Sequence, residues 1–281
     1  MSERQLQRVI NAIPTSDGAG VKISRIAGFS APDFEPFLML DEIRSDNRND
    51  FIAGFPDHPH RGIETLTYMK QGGFEHRDHL GHVGSIRAGG AQWMSAGRGI
   101  IHSETPLPAA HEMHGFQIWV NLAAANKMKP AEWRDAQPET LPELTLSGGL
   151  VRAVTGQWSL LQQTLESPLN QLSQSASILD VQLDGGAELA LETPVEHQLA
   201  VFIYDGRLEG KVSLQRHQLG IFGPGNTLQL KAGDHGLGAL VLSGLPIGEP
   251  VAHYGPFVMT TPEELQQAVE DYQTGRLTAV D

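Results

Sequence analysis

Two short strings in this chain carry the side chains of a metal site. His58-Pro59-His60 presents two imidazoles at i and i+2, and His102-Ser103-Glu104 presents an imidazole and a carboxylate at the same spacing. Successive side chains of an extended strand point to opposite faces, so each pair lies on one side of its strand. Two such strands facing each other would bring three imidazoles and one carboxylate to a point. Neutral imidazole and carboxylate suit Fe, Mn, Ni, Cu, Co or Zn, and without a thiolate the set is not one of the common structural zinc types. Four protein ligands in an octahedral shell leave two positions for water, substrate or O₂, so the site could be catalytic.

Glu64 competes with Glu104 for the role of carboxylate ligand. A straight strand rises roughly 3.3 Å per residue, which puts Glu64 about 13 Å beyond His60 unless Pro59 or Gly62 kinks the chain. Glu104 needs no kink and is the favoured ligand, with Glu64 left to a supporting role. His76, His79 and His82 recur at i, i+3 and i+6, but in a glycine-rich turn region where that spacing does not make them converge. No second metal site is expected there. His111 and His114 fall in a loop ahead of the strand Phe116 to Val120, where structural or solvent roles are expected. Gly97-Arg98-Gly99 lacks the Lys and the helix of a phosphate loop, and no Gly-x-Ser-x-Gly elbow occurs.

Strands must position these residues. With 31 Gly and 17 Pro among 281 residues, short alternating apolar segments and turn signals about every ten residues predict an all-β body. Phe37 to Glu42 is an apolar strand. From Phe51 to Asn121 the alternation is punctuated by Gly72-Gly73, Gly81, Gly89-Gly90 and Gly97-Arg98-Gly99. Lys127 to Pro142 is polar and proline-containing, a crossover, and it divides the chain into a metal-binding domain over 1–132 and a second domain over 133–281. The second half alternates again from Leu150 to Gly244. A faint repeat aligns Glu64 with Gln198, which carries His58 and His60 onto Glu192 and Pro194. Aligning Gly90 with Gly225 carries His102 and Glu104 onto Leu237 and Ala239, so the second half repeats the shape without the ligands. One helix is expected near the end: Thr261 as N-cap, Pro262 in the first turn, Glu264 closing a capping box, and Gly275 as the stop.

Bulk composition excludes several function classes. A net charge of −13 with no Lys/Arg cluster argues against a nucleic-acid surface and suits a cation or a small neutral ligand. The absence of cysteine removes disulfides, thiolate ligands and a Cys nucleophile, and fits a reducing compartment. The start of the chain lacks the apolar core of a signal peptide, and no apolar run approaches the ~20 residues that span a bilayer. A cytoplasmic location is expected, without membrane attachment.

Several stretches resemble the pirin family of bicupins. They are Gly54 to Thr65, which contains His58-Pro59-His60-Arg61-Gly62 and Glu64; Gln92 to Glu104, with Gly97-Arg98-Gly99-Ile100-Ile101-His102; Gln117 to Leu122; Pro36-Phe37-Leu38; and Gly255 to Met259 leading into Glu264 and Tyr272. The string His58-x-His60-x-x-x-Glu64 is also similar to the first cupin motif, in which that Glu is often a ligand. The resemblance spreads over most of the chain but is thin between about 135 and 245. It implies an all-β bicupin, two jelly-roll barrels packed face to face with a short C-terminal helix. It also implies one mononuclear site, with ligands carried over to His58, His60, His102 and Glu104. The implied metal is Fe²⁺, with Mn, Ni, Co, Cu or Zn as alternatives.

Bacterial members resembling this chain are associated with quercetin 2,3-dioxygenase activity. The expected reaction opens the flavonol heterocycle with O₂ and releases CO, with Glu104 as general base toward the 3-hydroxyl and the metal as Lewis acid and template. Phe55, Trp93, Met94 and Trp119 are candidates to wall a planar substrate. The alternative is a non-enzymatic, iron-binding, redox-responsive regulator acting through a protein partner, as nuclear members in animals do. A sugar-type isomerase shares the fold and finds no further support.

Overall fold

A chain patterned for strands needs sharp reversals between them, and two glycines make the reversals that matter for the site. Gly62 takes φ +80°, and a Cβ there would stand 1.9 Å from the Val258 carbonyl oxygen. Gly97 takes φ +47°, with the Lys129 carbonyl oxygen 2.0 Å from where a Cβ would be. Only a residue without a Cβ fits either turn. The computed structural model that contains them describes residues 2–29 and 31–279.

The first twelve strands are β1 (Leu6–Asn11), β2 (Ile13–Asp17), β3 (Val21–Ala27), β4 (Phe37–Ser45), β5 (Phe55–His60) and β6 (Ile63–Gln71), followed by β7 (Gly73–Asp78), β8 (Val83–Arg87), β9 (Ala91–Ser95), β10 (Ile100–Pro106), β11 (Met113–Asn121) and β12 (Glu132–Ala136). The chain divides into two compact units, one of Met1–Ile13, Asp33–Pro36 and Glu139–Pro246, the other of Pro14–Pro32, Phe37–Pro138 and Ile247–Asp281.

In the first unit a nine-stranded sheet runs from β1 through Gln218–Phe222, Gln198–Glu209, Thr227–Gly244, Ser177–Leu183 and Gly149–Thr155 to Glu143–Leu146, with Glu188–Glu192 paired to Thr227–Gly244 and Leu214–Gln215 to Gln198–Glu209 off this path. Its core is aliphatic, built from residues such as Val151, Leu179, Val201, Leu228 and Val241. Leu237 and Ala239 lie within that core.

The second unit carries the site. Its seven-stranded sheet has the order β12-β9-β6-β11-β4-β3-β2 and its four-stranded sheet the order β5-β10-β7-β8, with antiparallel pairing. Inward side chains from both sheets make a common core: Ile23, Ile43 and Met69 from the larger sheet meet Phe74 and Ile86 from the smaller. Alternation explains the division, since each strand turns every second residue inward.

The hairpin Ala252–Tyr254/Phe257–Met259 and the helix α1 (Pro262–Gln273) complete this unit. The helix begins as its sequence predicts. Thr261 accepts from the Glu264 amide through its side chain, and the Glu264 carboxylate accepts from the Thr261 amide, closing the capping box. Ala268 is buried with Phe257, Met259 and Leu277, and Leu265 and Val269 pack against them. No helix among the described residues is long and apolar enough to cross a membrane.

Candidate metal centre

Register puts the candidate ligands together. On β10, His102 stands directly opposite His58 of β5 on one side, and Glu104 stands opposite His76 of β7 on the other. Directly paired residues share a face of the sheet, and so do residues two apart on one strand. The inner face of the four-stranded sheet therefore collects His58, His60, His102, Glu104 and His76. Ring centroids of His58 and His102 are 4.3 Å apart, of His58 and His60 4.9 Å, and of His60 and His102 5.1 Å. Among the described residues two metal-capable groups emerge, His58/His60/His102 and His76/His102/Glu104, each with ligand atoms within 4.8 Å of one another.

The ring nitrogens are oriented for ligation. His58 Nδ1 lies 2.8 Å from the Pro56 carbonyl oxygen, and His60 Nδ1 lies 3.3 Å from the Pro256 carbonyl oxygen. A carbonyl only accepts, so both rings carry their proton on Nδ1 and leave an Nε2 lone pair free. His102 Nδ1 lies 3.3 Å from His76 Nδ1, and His102 Nε2 is buried with no hydrogen-bond partner. A buried imidazole nitrogen without a partner is costly unless something completes it, and a divalent cation would. The donor set fits such an ion on this ground.

Burial sets the charge state. It lowers the His60 pKa to about 3, helped by His58 and opposed by the Pro256 carbonyl. It holds His102 well below the usual imidazole range, with His58, His60 and His76 adding to the effect. His76 is lowered to about 4 by burial, against the pull of Asp78. These rings are thus neutral near pH 7, the form that ligates. Burial pushes the Glu104 carboxyl up, opposed by His58 and by the Thr67 hydroxyl. Thr67 Oγ1 lies 3.3 Å from Glu104 Oε1 and 2.6 Å from Gln117 Oε1.

Glu64 takes another course. The chain does turn at Gly62, but β6 belongs to the larger sheet, and the buried Glu64 carboxylate lies 3.4 Å from Lys129 Nζ. It joins neither metal-capable group.

His76 corrects the sequence reading. Far from sitting idle in a turn, it is on β7, fully buried against His102 and the Trp133 ring. The i, i+3, i+6 spacing carried no signal because the convergence runs across strands. His79 and His82 stay in the following loop, where His82 Nδ1 meets Asp78 at 2.9 Å. His114 is likewise not in a loop: it lies on β11, buried, with Nε2 3.0 Å from Glu42.

A cavity of about 670 Å³ opens onto the cluster, bordered by His58, His60 and Glu104. Alternate residues Ile23 and Arg25 of β3, Met39, Asp41 and Ile43 of β4, and Gln117 and Trp119 of β11 form one wall. Phe29 stacks on His253 at 4.1 Å and meets Trp119 edge-on at 6.1 Å, and Trp119 in turn meets the His60 ring edge-on at 5.1 Å. Arg25 donates to Asp41 through Nε (2.8 Å) and Nη2 (2.6 Å), and to Asp17 through Nη2 (2.5 Å). Phe55 and Trp119 line this space as expected, whereas Trp93 and Met94 do not. Both are on β9, toward the other edge of the sheet, and Met94 is packed with Leu38, Ile63 and Val258.

The chain matches a family model described as Pirin over residues 20–120 and one described as Pirin C-terminal cupin domain over residues 178–278. It is 47% identical, with 97% of each chain covered, to a Vibrio cholerae protein that bears the provisional designation quercetin 2,3-dioxygenase. A Pseudomonas aeruginosa protein with the same designation is 42% identical over 94% of each chain. Among solved structures, a quercetin 2,3-dioxygenase from Acinetobacter baumannii matches with a TM-score of 0.90, covering both chains fully, at 27% identity.

Proposed function

The chain belongs to the pirin family of bicupins, and from that premise we propose that it is a metal-dependent dioxygenase of quercetin-type flavonols. The observation that carries the reading is the three-imidazole cluster, with an unpartnered His102 Nε2, beside an aromatic-walled cavity that His58, His60 and the buried Glu104 border. The ligands in this reading are His58, His60 and His102 through Nε2 and Glu104 through its carboxylate, all from residues 1–132, with residues 133–281 supplying none. The favoured ion is Fe²⁺, with Mn, Ni, Co, Cu or Zn as alternatives. Bound there, the ion supplies Lewis acidity and a template for substrate and O₂.

The chain's own groups do the rest. A cavity of this volume is of the size that encloses a small planar molecule. Phe29 and Trp119 offer faces and edges to flat rings. Asp17 and Arg25, polar groups in the cavity lining, suit the hydroxyls of a polyphenol. Glu104 takes the proton of the flavonol 3-hydroxyl; burial raises its affinity for that proton, which makes it a better base than a solvated carboxylate. Thr67 holds Oε1 while the proton is transferred. The heterocycle then opens with uptake of one O₂ and release of one CO.

The test is anaerobic reconstitution with each metal, then addition of quercetin while O₂ uptake and CO release are followed. Turnover with stoichiometric CO supports the reading. No turnover with iron, manganese, nickel, cobalt or copper bound would sink it for this substrate and leave the non-enzymatic, partner-dependent role.

A further inference from the structure

His76 is a buried titratable group to which the proposed reaction gives no task. Its Nδ1 faces His102 Nδ1 at 3.3 Å, and its Nε2 is buried without a partner. Two such nitrogens attract only if one carries a proton and the other a lone pair. Each neutral imidazole has one of each, so the proton in this gap decides both rings together. If it belongs to His102, the His102 Nε2 offers a lone pair and His76 carries its proton on Nε2. If it belongs to His76, the His102 Nε2 becomes an N–H and cannot ligate.

We propose that His76 is a positioning residue that accepts the Nδ1 proton of His102 and so fixes the tautomer in which His102 ligates through Nε2. The inference rests on the ligand set given above. It also explains why this ligand differs from its neighbours. His58 and His60 lie on β5, an edge strand of the four-stranded sheet, where the carbonyls of Pro56 and Pro256 reach their Nδ1 atoms. His102 lies on β10, an inner strand whose backbone groups are engaged with β5 and β7. Its acceptor must come from a side chain, and β7 supplies one from the position opposite Glu104.

Co(II) is the probe, bound to the full chain against a competing chelator and followed by its visible spectrum. The wild-type chain is expected to bind one Co(II). His76→Phe, which has no acceptor, is expected to bind it roughly 10- to 100-fold more weakly with an altered spectrum. His76→Asn, whose Oδ1 accepts, is expected to recover most of the affinity. Nitrogen NMR of the metal-free wild-type chain should find His102 as the Nδ1–H tautomer, a readout that does not depend on any variant folding. His102 found with its proton on Nε2 overturns the inference. So does a folded His76→Phe chain with wild-type affinity and spectrum, or a second Co(II) equivalent that disappears in that variant, which would make His76 a ligand. A wild-type chain that takes up no Co(II) sinks the ligand set itself, whereas an unaffected variant sinks only the role of His76.

Discussion

Glu104 is asked both to complete the ligand set and to move a proton, and the structure gives it means for each. It is buried, its pKa is pushed up by that burial, and His58 and Thr67 oppose the push. Glu104→Gln keeps the shape and removes the charge and the basic oxygen. Turnover of quercetin is expected to fall by roughly 10²- to 10⁴-fold, the range for loss of a general base. Glu64→Gln should leave it within a few-fold, because Glu64 is turned toward Lys129. Steady-state rates on metal-matched samples decide between them: turnover that survives in Glu104→Gln and collapses in Glu64→Gln would reverse the assignment. The common face of His58, His60, His102 and Glu104 was legible because a period of two fixes faces along a strand. His76 was not, because its place depends on β7 pairing with β10 in one register, and no local spacing encodes a cross-strand partner.

At the scale of elements, Lys127 ties the metal-bearing strands to the hairpin near the end of the chain. Its buried Nζ donates to the Gly62 carbonyl (2.8 Å), to Asn121 Oδ1 (2.7 Å) and to the Val258 carbonyl (3.1 Å). The hairpin loop in turn carries the Pro256 carbonyl that orients His60. Lys127→Met fills similar volume but strands three buried acceptors, which should cost about 3 kcal/mol. Urea unfolding should show a lower midpoint, and metal affinity should fall with it as His60 loses its orienting contact. An unchanged midpoint would mean that the three acceptors find other donors. Helix α1 was readable because capping is local, with Thr261, Pro262 and Glu264 adjacent in sequence. The start of β11 was not. The strand was expected from Phe116, yet it starts at Met113 with Gly115 inside it, where an added Cβ would meet Met69 Sδ at 2.5 Å.

For the whole molecule, the all-β class followed from composition and turn spacing, but the destinations of the two ends of the chain did not. Strand β1 completes a sheet with Gln218–Phe222, and α1 packs beside Ile101, pairings that depend on tertiary fit and not on any short motif. The buried imidazoles give the folded state as a whole a pH dependence whose sign can be fixed. In the unfolded chain each histidine titrates near 6.5; in the folded, metal-free protein His60 is lowered to about 3, His76 to about 4, and His102 well below the usual range. Between pH 6.5 and those values the unfolded chain binds more protons, so stability falls as pH falls, by on the order of 1 kcal/mol per pH unit for each such ring. Glu104 runs the other way: its raised pKa means that its burial costs most when it is ionised, and protonation relieves that cost as pH falls. The three rings outweigh the one carboxyl, and the metal-free midpoint should drop between pH 6.5 and 4.5. A bound cation offsets the Glu104 cost and stabilises the folded state by mass action, but it needs the imidazole lone pairs. Added Ni(II) should therefore raise the midpoint at pH 7 and still raise it at pH 5, where His60 and His102 remain neutral in the folded chain, the effect fading only as the pH approaches the lowered values of these rings. Scanning calorimetry with and without Ni(II) across this range measures both slopes. A metal-free midpoint that is flat or rises on acidification would show that these histidines are not held neutral by the fold.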